Sequence, residues 1–539
     1  MAKYFFNSLF ITVVFISITF TNCNNTATTT ISVTKDSVLK DTANEMGIKG
    51  NFSNQAAITF DSNVIIKFLD SFPKFKIFKK DITAFYKNRR FAYAWYDNNG
   101  MIEPAQNLYN RIVNISEEGV PDVVPYKPAF ITLMEAADGS NKISAIAELM
   151  LTSQYLAYAK TVWQGLSEKQ SLSTEWLLPR KKITAKQLLD SLESGSNILQ
   201  PIPVFKQYSL LKEYLKKYTH LKEQAPFVPI KAEKKTYRLH DSAVTISTIR
   251  QRLFLLGDLQ QNNQSDIFDG QLQEGIKNFE HRLGYKEDGI VNAVLLAEMN
   301  YPLDKRIEQI MVNMERSRWV PVALQNNYLV INIPEYKLHV YEQDSIVFSM
   351  NVVVGKYEHH TVIFNGEVKY IVFSPYWNIP ASIIKNETLP GMKKNSNYLA
   401  QHNMEWNGGN VRQKPGANNS LGLVKFLFPN SHSIYLHDSP AKSLFNENKR
   451  AFSHGCIRLA EPKKLALYLL RNDTLWDETK ITNAMNKGVE RYVTLKKTVP
   501  VFIAYFTAWV DRNGKLNLRN DVYKRDSRLS KMILEKSAL

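Results

Sequence analysis

The spacing of apolar residues divides the chain into a helical part and a strand-rich part. Between about residues 60 and 235, apolar residues recur every three or four positions, which is the period of an amphipathic helix. Beyond residue 327, β-branched and aromatic runs alternate with polar turns, which is typical of an antiparallel sheet. The clearest runs are 328–333, 337–341, 346–354 and 369–373. The pattern predicts an all-α scaffold domain at 60–239, a mostly antiparallel β domain at 327–500 and a C-terminal extension at 501–539.

Glycines punctuate the helical part. One scaffold stripe should share a buried face and end at Gly165; it consists of Ile146, Leu149, Met150 and Leu156. At 240–302, two stripes end at Gly257 and Gly284, because glycine readily takes the left-handed conformation that closes a helix. These stripes consist of Ile246, Ile249, Leu253 and Leu256, and of Leu272, Ile276, Phe279 and Leu283. A third helix, from about residue 292, completes the module at 240–302, and one more helix is predicted near 305–316.

Residues 381–430 interrupt the strand pattern. They carry Pro-Gly at 390–391, Gly-Gly at 408–409 and Pro-Gly at 415–416. Long, turn-rich segments inside a compact domain are usually functional, so this insertion is expected to cap a site. A surface excursion without a role is the alternative interpretation.

The first 23 residues have the pattern of an export signal. The apolar run at 4–20 follows a basic residue and is too short for a comfortable membrane span. Cys23 follows directly, where a lipoprotein signal places its lipidated cysteine, although Phe20 and Asn22 are not the usual small neighbours of such a site. A cleaved signal and an uncleaved anchor remain alternatives. Residues 24–59, rich in Asn, Thr and Ser, are predicted to be a polar linker.

The chain is basic, with 68 Lys and Arg against 51 Asp and Glu and a formal net charge of +17. Such a charge favours nucleic acid, an anionic membrane or a carboxylate-rich polymer as partner. We expect no nucleic-acid partner, because the sequence shows no single basic helix and no RNA-type aromatic motif. A basic surface without a dedicated partner explains the charge equally well.

One cysteine is a candidate nucleophile. The chain has two cysteines, and Cys456 lies in the run Ser453-His454-Gly455-Cys456-Ile457-Arg458. If Cys23 is lipidated or removed, Cys456 has no intramolecular disulfide partner, and a lone thiol in an exported protein suggests that the thiol is used. A thiol near histidines can become the reactive thiolate. A buried structural cysteine is one alternative, and a zinc site with His437 and His454 is another that lacks further ligands.

His437 ends a strand-like run upstream of this motif. In Ile434-Tyr435-Leu436-His437, alternation places Tyr435 and His437 on one face and the two apolar residues on the other. The apolar face can pack on the core while the polar pair faces a cleft. Fifteen residues, 438–452, separate His437 from the motif, which is enough for a loop and return. The sequence therefore allows His437 to reach Cys456.

These motifs resemble the signature of the YkuD-type L,D-transpeptidase catalytic domain. That signature is a His, some fourteen to seventeen residues, then Ser/Thr-His-Gly-Cys, a hydrophobic residue and Asn or Arg. Flanking motifs are similar to those of the large, multi-domain branch of the family: Glu315-Arg316, Arg318-Trp319, 374–380, 421–430, 435–438 and 507–511. The module at 240–302 resembles a three-helix peptidoglycan-binding domain. One departure is His360-Thr361-Val362, where relatives often carry Thr-Pro, and it is expected to leave the chemistry untouched.

The resemblance implies the fold class: a multi-domain α+β protein. Its mostly antiparallel β catalytic domain carries a capping insertion. An all-α scaffold precedes it, the peptidoglycan-binding domain interrupts that scaffold, and residues 303–326 return to it. The resemblance also implies that Cys456 attacks the carbonyl between residues three and four of a tetrapeptide stem and that His437 accepts and returns the proton. Backbone groups at His454, Gly455 and Cys456 would stabilise the oxyanion, and the His454 side chain would brace the loop.

Three further residues are expected at the substrate: Tyr435, Ser453 and Arg458. Arg458 would hold a substrate carboxylate by a bidentate pair, or it would form a structural salt bridge. The resemblance implies neither a cofactor nor a metal.

The implied activity is peptidoglycan L,D-transpeptidation, which forms 3→3 cross-links and releases D-alanine. An L,D-carboxypeptidase or endopeptidase that uses water as acceptor, and a non-catalytic wall-binding protein, are the alternatives. The resemblance further implies tetrapeptide stems with meso-diaminopimelate as partner and a covalent adduct with carbapenems. It also implies a location in the periplasm of a Gram-negative bacterium, with anchoring through a lipid on Cys23 as an open option.

Overall fold

The structure, a computed structural model, describes residues 48, 50–55, 57–138, 143–193, 205–224, 227–320, 327–343 and 345–535. The predicted signal with Cys23 and most of the predicted linker lie outside these ranges. Within them, no helix combines the length and the apolar character needed to cross a membrane.

The scaffold is built from helices that pack around one apolar core. Its helices are α1 (Asn63–Ser71), α2 (Lys79–Asn88), α3 (Glu103–Val113), α4 (Lys127–Asp138), α5 (Ala145–Tyr158), α6 (Glu168–Ser173), α7 (Ala185–Glu193) and α8 (Gln207–Gln224). A short hairpin of β1 (Tyr96–Asp97) and β2 (Gly100–Met101) lies among them.

Helix α5 is buried on all sides from Ala147 onward. The Ser144 hydroxyl caps its start by accepting the N–H of Ala147. Ile146, predicted on the buried face, is 46% exposed, because a helix surrounded by neighbours has no single buried face and here only its first turn reaches solvent. The helix continues into a π-helical turn, Ala159–Gln164, and ends at Gly165 as predicted.

The inserted module contains the three predicted helices, α9 (Val244–Leu256), α10 (Gly270–Leu283) and α11 (Ala293–Met299). Gly257 at φ +88° and Gly284 at φ +76° close the first two helices in the left-handed conformation. The pair of β3 (Thr236–Tyr237) and β4 (Val291–Asn292) joins the beginning of the module to its end. Helix α12 (Leu303–Trp319) then returns to the scaffold and packs along α8.

The second half of the chain is strand-rich. Its strands are β5 (Asn327–Asn332), β6 (Lys337–Glu342), β7 (Ser345–Gly355), β8 (Asn365–Phe373), β9 (Trp377–Asn378), β10 (Met404–Asn407), β11 (Asn410–Gln413), β12 (Val424–Leu427), β13 (Leu436–His437), β14 (Ala451–Ser453), β15 (Ile457–Leu459) and β16 (Arg491–Ala504). Nine of them form one sheet in the order β14-β7-β15-β13-β12-β8-β16-β5-β6. Strand β6 also pairs with β7, so the sheet curls and closes on itself. Its pairs are antiparallel except β13–β15, β14–β7 and β16–β5, which confirms a mostly antiparallel domain.

The capping insertion has its own small sheet. Strands β9 to β11 pair in the order β10-β11-β9 and combine with helices α13 (Ala381–Ile383), α14 (Leu389–Lys394) and α15 (Tyr398–Gln401). The insertion differs from the predicted 381–430 at its end. Strand β12 belongs to the large sheet, because its buried residues pair with β8 and β13.

The C-terminal residues serve both parts of the molecule. Strand β16 crosses the predicted boundary at residue 500, because residues 501–504 pair with β5 inside the sheet. After helices α16 (Pro462–Leu470) and α17 (Glu478–Asn486) and this strand come β17 (Ala508–Val510), β18 (Leu516–Leu518) and α18 (Arg525–Leu534). The β17–β18 hairpin packs into the scaffold core, whereas Leu529 and Ile533 of α18 pack into the core of the large sheet, which is the catalytic core of the predicted domain at 327–500.

Candidate active site

The register of two parallel strands brings the predicted site residues together. In β13 and β15, Leu436 lies opposite Ile457 and His437 lies opposite Arg458. Leu436 and Ile457 are fully buried in the core. Because alternate side chains point to opposite faces, His437 and Arg458 lie on the other face, where Cys456 continues the same row.

The Cys456 thiol is partly exposed and lies among polar groups. Its Sγ is 3.7 Å from the carbonyl oxygen of Ser433, to which the thiol donates. The Tyr435 hydroxyl also hydrogen-bonds to the thiol. Burial raises the pKa of Cys456 above its usual value, although Tyr435 and the charge of Arg458 act in the opposite direction. The thiol is therefore protonated at neutral pH in the resting structure.

His437 is buried and held in one tautomer. Its Nδ1 is 2.5 Å from the carbonyl oxygen of Asp438, and a carbonyl can only accept, so Nδ1 carries the proton. Burial and, second, the charge of Arg458 lower the pKa of His437 to about 4. The ring is therefore neutral near pH 7, and in this tautomer Nε2 carries the lone pair, while the backbone carbonyl of Leu421 is a further contact of the ring. This is the state that a general base requires.

Arg458 brings a positive charge that the described residues leave without a carboxylate partner. Its side chain is half-buried, and its Nε has no hydrogen-bond partner in the described part of the chain. Of the two predictions, the structural salt bridge is absent among the described residues. The guanidinium therefore has no carboxylate partner within the described ranges, and its geometry suits a bidentate contact with an anion.

The turn that carries Cys456 is held by a hydroxyl within it. The Ser453 hydroxyl donates to the carbonyl of Cys456 at 2.5 Å and accepts the N–H of Gly455 at 3.1 Å. Gly455 has φ +112°, where a side chain would be strained. Its N–H, predicted to face the oxyanion, is thus engaged inside the turn. The N–H of Cys456 makes no hydrogen bond to the described residues and is the available donor.

The His454 side chain points away from the chemistry and toward the cap. Its ring stacks on His359 at 5.1 Å between centroids. Its Nε2 lies 3.9 Å from a carboxylate oxygen of Glu387, in the helical segment between α13 and α14. This position is compatible with a bracing role and connects the turn to the cap.

Two residues near the site were not assigned a role from the sequence. Lys425 lies opposite His437 in the β12–β13 pair, and its Nζ is 3.7 Å from Glu490. A lone charge within the apolar run Val424-Lys425-Phe426 was the available signal. Thr361, in the segment expected to leave the chemistry untouched, donates to the carbonyl of Gly455 at 2.8 Å. No signal in the sequence reveals that contact.

The described ranges contain no group of three His, Cys, Asp or Glu side chains placed to hold a metal ion. His437 and Cys456 are instead held by the main-chain and hydroxyl contacts above.

Comparisons with known proteins find matches for two parts of the chain. Residues 326–484 match the family described as the L,D-transpeptidase catalytic domain, and residues 80–215 match a scaffold domain. A curated protein of Haemophilus influenzae, provisionally named an L,D-transpeptidase, is 32% identical over 244 residues, or 41% of this chain and 49% of that protein. The chain thus spans about half the length of this relative.

Solved structures of L,D-transpeptidases show weaker likeness. One from Stackebrandtia nassauensis is 13% identical, covers 51% of this chain and 97% of its own, and has a TM-score of 0.23. One from Mycobacterium smegmatis is 14% identical over 33% of this chain and 58% of its own, with a TM-score of 0.20. A structure of LdtMt1 in complex with imipenem is 14% identical over 33% and 59%, with a TM-score of 0.18. TM-scores this low carry no weight for function.

Proposed function

We propose that this protein is a peptidoglycan L,D-transpeptidase with Cys456 as nucleophile, because residues 326–484 match the L,D-transpeptidase catalytic domain of the YkuD type. The observation that carries the proposal is the pairing of β13 with β15. In that register a neutral histidine, protonated at Nδ1, lies on the same face as the thiol. A thiol and a base in this relation are the elements of acyl transfer by cysteine.

The first half-reaction transfers the donor stem to the enzyme. The thiol proton moves to Nε2 of His437, and Sγ attacks the carbonyl between residues three and four of a tetrapeptide stem. The carbonyl oxygen becomes an oxyanion, which the free N–H of Cys456 can stabilise. The C–N bond then breaks, His437 returns its proton to the leaving amine, and D-alanine departs. A thioester on Cys456 remains.

The second half-reaction resolves the thioester. A side-chain amine on the third residue of another stem attacks the same carbonyl, and His437 takes one of its protons. The C–S bond breaks, the thiolate recovers that proton, and a 3→3 cross-link forms. If water attacks instead, the product is a tripeptide, and the protein is an L,D-carboxypeptidase or endopeptidase.

Arg458 and Tyr435 are the proposed substrate contacts in this mechanism. Stems carry carboxylates, and Arg458 is a half-buried cation without a carboxylate partner among the described residues. A bidentate ion pair there would orient the stem against the thiol. The Tyr435 hydroxyl already reaches the thiol and would meet the same substrate.

The module at 240–302 and the N-terminus suggest where the reaction occurs. We infer that the three-helix module binds peptidoglycan and that the chain acts in the periplasm, since the first 23 residues have an export pattern.

Cell fractionation tests the proposed lipid at Cys23. The variant C23S should leave the membrane fraction, and unchanged membrane association would count against a lipid there.

The activity is tested by incubating the purified protein with disaccharide-tetrapeptide and analysing the products by mass spectrometry. Dimers that have lost one D-alanine are expected from the wild type. Cys456→Ala should give none, and His437→Gln should lose about 10²- to 10⁴-fold, the usual share of general acid–base catalysis. Tripeptide without dimer would show that the protein hydrolyses the stem instead of cross-linking it. No product from a folded wild type would exclude both activities.

A further inference from the structure

Thr361 is a fully buried residue in contact with the turn that carries the nucleophile. Its hydroxyl donates to the carbonyl oxygen of Gly455 at 2.8 Å and accepts the N–H of Gly355 at 2.9 Å. Its single proton is thus committed to Gly455. The hydroxyl spans 94 residues of sequence and connects the end of β7 to the turn.

This contact fixes a peptide plane at the reacting centre. The carbonyl of Gly455 and the N–H of Cys456 belong to one peptide unit, and in a planar trans peptide they point in opposite directions. Thr361 holds the carbonyl on the inner side of the turn. The N–H of Cys456, which is free of partners among the described residues, consequently points outward.

We propose that Thr361 is a positioning residue that aims the N–H of Cys456 at the oxyanion of the acyl-transfer step. Ser453 cannot replace it, because the Ser453 hydroxyl bonds the N–H of Gly455 and the carbonyl of Cys456, which lie in the two flanking peptide units. The middle unit, which holds the candidate oxyanion donor, depends on Thr361.

A second layer keeps Thr361 in place. The Tyr523 hydroxyl donates to the carbonyl of Gly355 at 2.7 Å and accepts the N–H of Thr361 at 3.2 Å. The packing is close, since a Cβ on Gly355 would lie 2.1 Å from the carbonyl oxygen of His359 and 3.1 Å from Cα of Gly455. The support beneath the turn therefore has little room to shift, and the hydroxyl acts from a fixed point.

The test compares two reactions of the same thiol. This inference rests on the proposed function. Acylation by imipenem requires the oxyanion donor, because the strained amide carbonyl of imipenem becomes an oxyanion when Sγ attacks. Alkylation by iodoacetamide does not require the donor, because the thiolate displaces iodide at a saturated carbon and no carbonyl oxyanion develops. The ratio of the acylation rate constant to the alkylation rate constant measures how well the N–H of Cys456 stabilises the oxyanion. Changes in thiol reactivity affect both rate constants and cancel in the ratio.

Thr361→Val removes the hydroxyl at nearly constant volume, and Thr361→Ser keeps it. We expect T361V to lower the ratio of acylation to alkylation about 10- to 100-fold, less than the 10²- to 10³-fold typical of deleting an oxyanion donor outright. T361S should stay within about twofold of wild type. An unchanged ratio in T361V, including equal loss of both rates, would overturn the proposal, because a general loosening of the turn affects both reactions.

A second variant covers the case in which T361V fails to fold. Tyr523→Phe removes both hydrogen bonds of the Tyr523 hydroxyl, to the carbonyl of Gly355 and from the N–H of Thr361, and leaves the Thr361 hydroxyl in place, so the ratio should fall several-fold. A wild-type ratio in Y523F would count against the supporting layer and thus against the proposal. If imipenem does not acylate the wild type and D-alanine is not released, the proposed function itself has failed. If imipenem acylates the wild type but the ratio of T361V is unchanged, only the positioning role of Thr361 is refuted.

Discussion

The resting pair of Cys456 and His437 is neutral on both sides. Burial raises the pKa of the thiol, and burial together with Arg458 lowers the pKa of the imidazole to about 4. Proton transfer from sulfur to nitrogen is thus unfavourable until something changes the local charge. A substrate carboxylate on Arg458 would remove one of the two causes of the low histidine pKa, and so couple substrate binding to activation of the thiol.

The lowered pKa of His437 predicts the pH profile of kcat/KM, which reports the ionisation of groups in the free protein. A base with a lowered pKa is in its active, neutral form above that pKa, so activity is lost only as the pH falls through it. We expect the acidic limb of D-alanine release near pH 4 rather than near 6.5. Arg458→Gln should move the limb upward. A wild-type limb at 6.5 or above would contradict a buried, Arg-flanked His437.

At the scale of single residues, the sequence predicts which polar side chains face the site better than it predicts the residues that hold them in place. Alternation in Tyr435-Leu436-His437 places both polar side chains on one face, and the register agrees. Thr361 gave no signal, because its role depends on a contact with Gly455 that only the folded sheet creates. Gly455 was predicted to donate to the oxyanion, but Ser453 occupies its N–H. A hydrogen bond within the turn therefore keeps the N–H of Gly455 from the predicted role.

The junction where the cap returns to the sheet is a tight element. Gly422 has φ +61°, and a Cβ there would lie 2.4 Å from the carboxylate carbon of Asp438. That carboxylate accepts the N–H of Leu423 at 2.9 Å, while the Asp438 carbonyl orients His437. The end of the cap and the ring of His437 are therefore both held by Asp438.

We predict that Gly422→Ala lowers both stability and D-alanine release, because it displaces Asp438 and with it the ring of His437. Gly408→Ala is the matched control. Gly408 also has a positive φ, +55°, in the β10–β11 hairpin, but no atom lies within 4 Å of its added Cβ. Both variants carry about 1–2 kcal/mol of backbone strain, and only G422A adds the collision. Equal activity of the two variants would show that the junction does not reach the base.

The elements themselves were predicted unevenly. Helices closed by Gly257 and Gly284 end where glycine is needed, so their limits were readable. Strand β12 was placed in the insertion, because all of Val424, Lys425 and Phe426 are buried and the run has no alternation. Short, fully buried strands lack a periodic signal, and turns on both sides hid this one.

At the scale of the molecule, α12 joins the scaffold to the catalytic sheet. Its Glu315 carboxylate is buried and accepts the N–H of Leu166 at 2.6 Å and Nε1 of Trp319 at 3.0 Å. Arg318 donates to its other oxygen at 2.8 Å. Leu166 and Trp319 both belong to the catalytic core, so one carboxylate connects the two halves.

We predict that Glu315→Ala destabilises the protein by about 3–5 kcal/mol, because Arg318 loses its buried counter-charge and the Leu166 N–H loses its acceptor. Denaturant unfolding, followed by tryptophan fluorescence, measures the change. Glu274→Ala is the control, since Glu274 is 68% exposed and pairs with Lys277 on the surface. It should change stability by less than about 1 kcal/mol. Similar midpoints for the two variants would refute the connecting role of Glu315.

The return of the C-terminal residues to both cores has a consequence for biosynthesis. Val501 and Ile503 complete the catalytic core, and Val510 and Leu516 complete the scaffold core, although the first scaffold helix starts more than 400 residues earlier. A nascent chain therefore cannot finish either core until residues 501–516 have been synthesised. We expect a polypeptide that stays loosely folded up to that point, depends on holding chaperones until then, and gains protease resistance only after these residues have emerged.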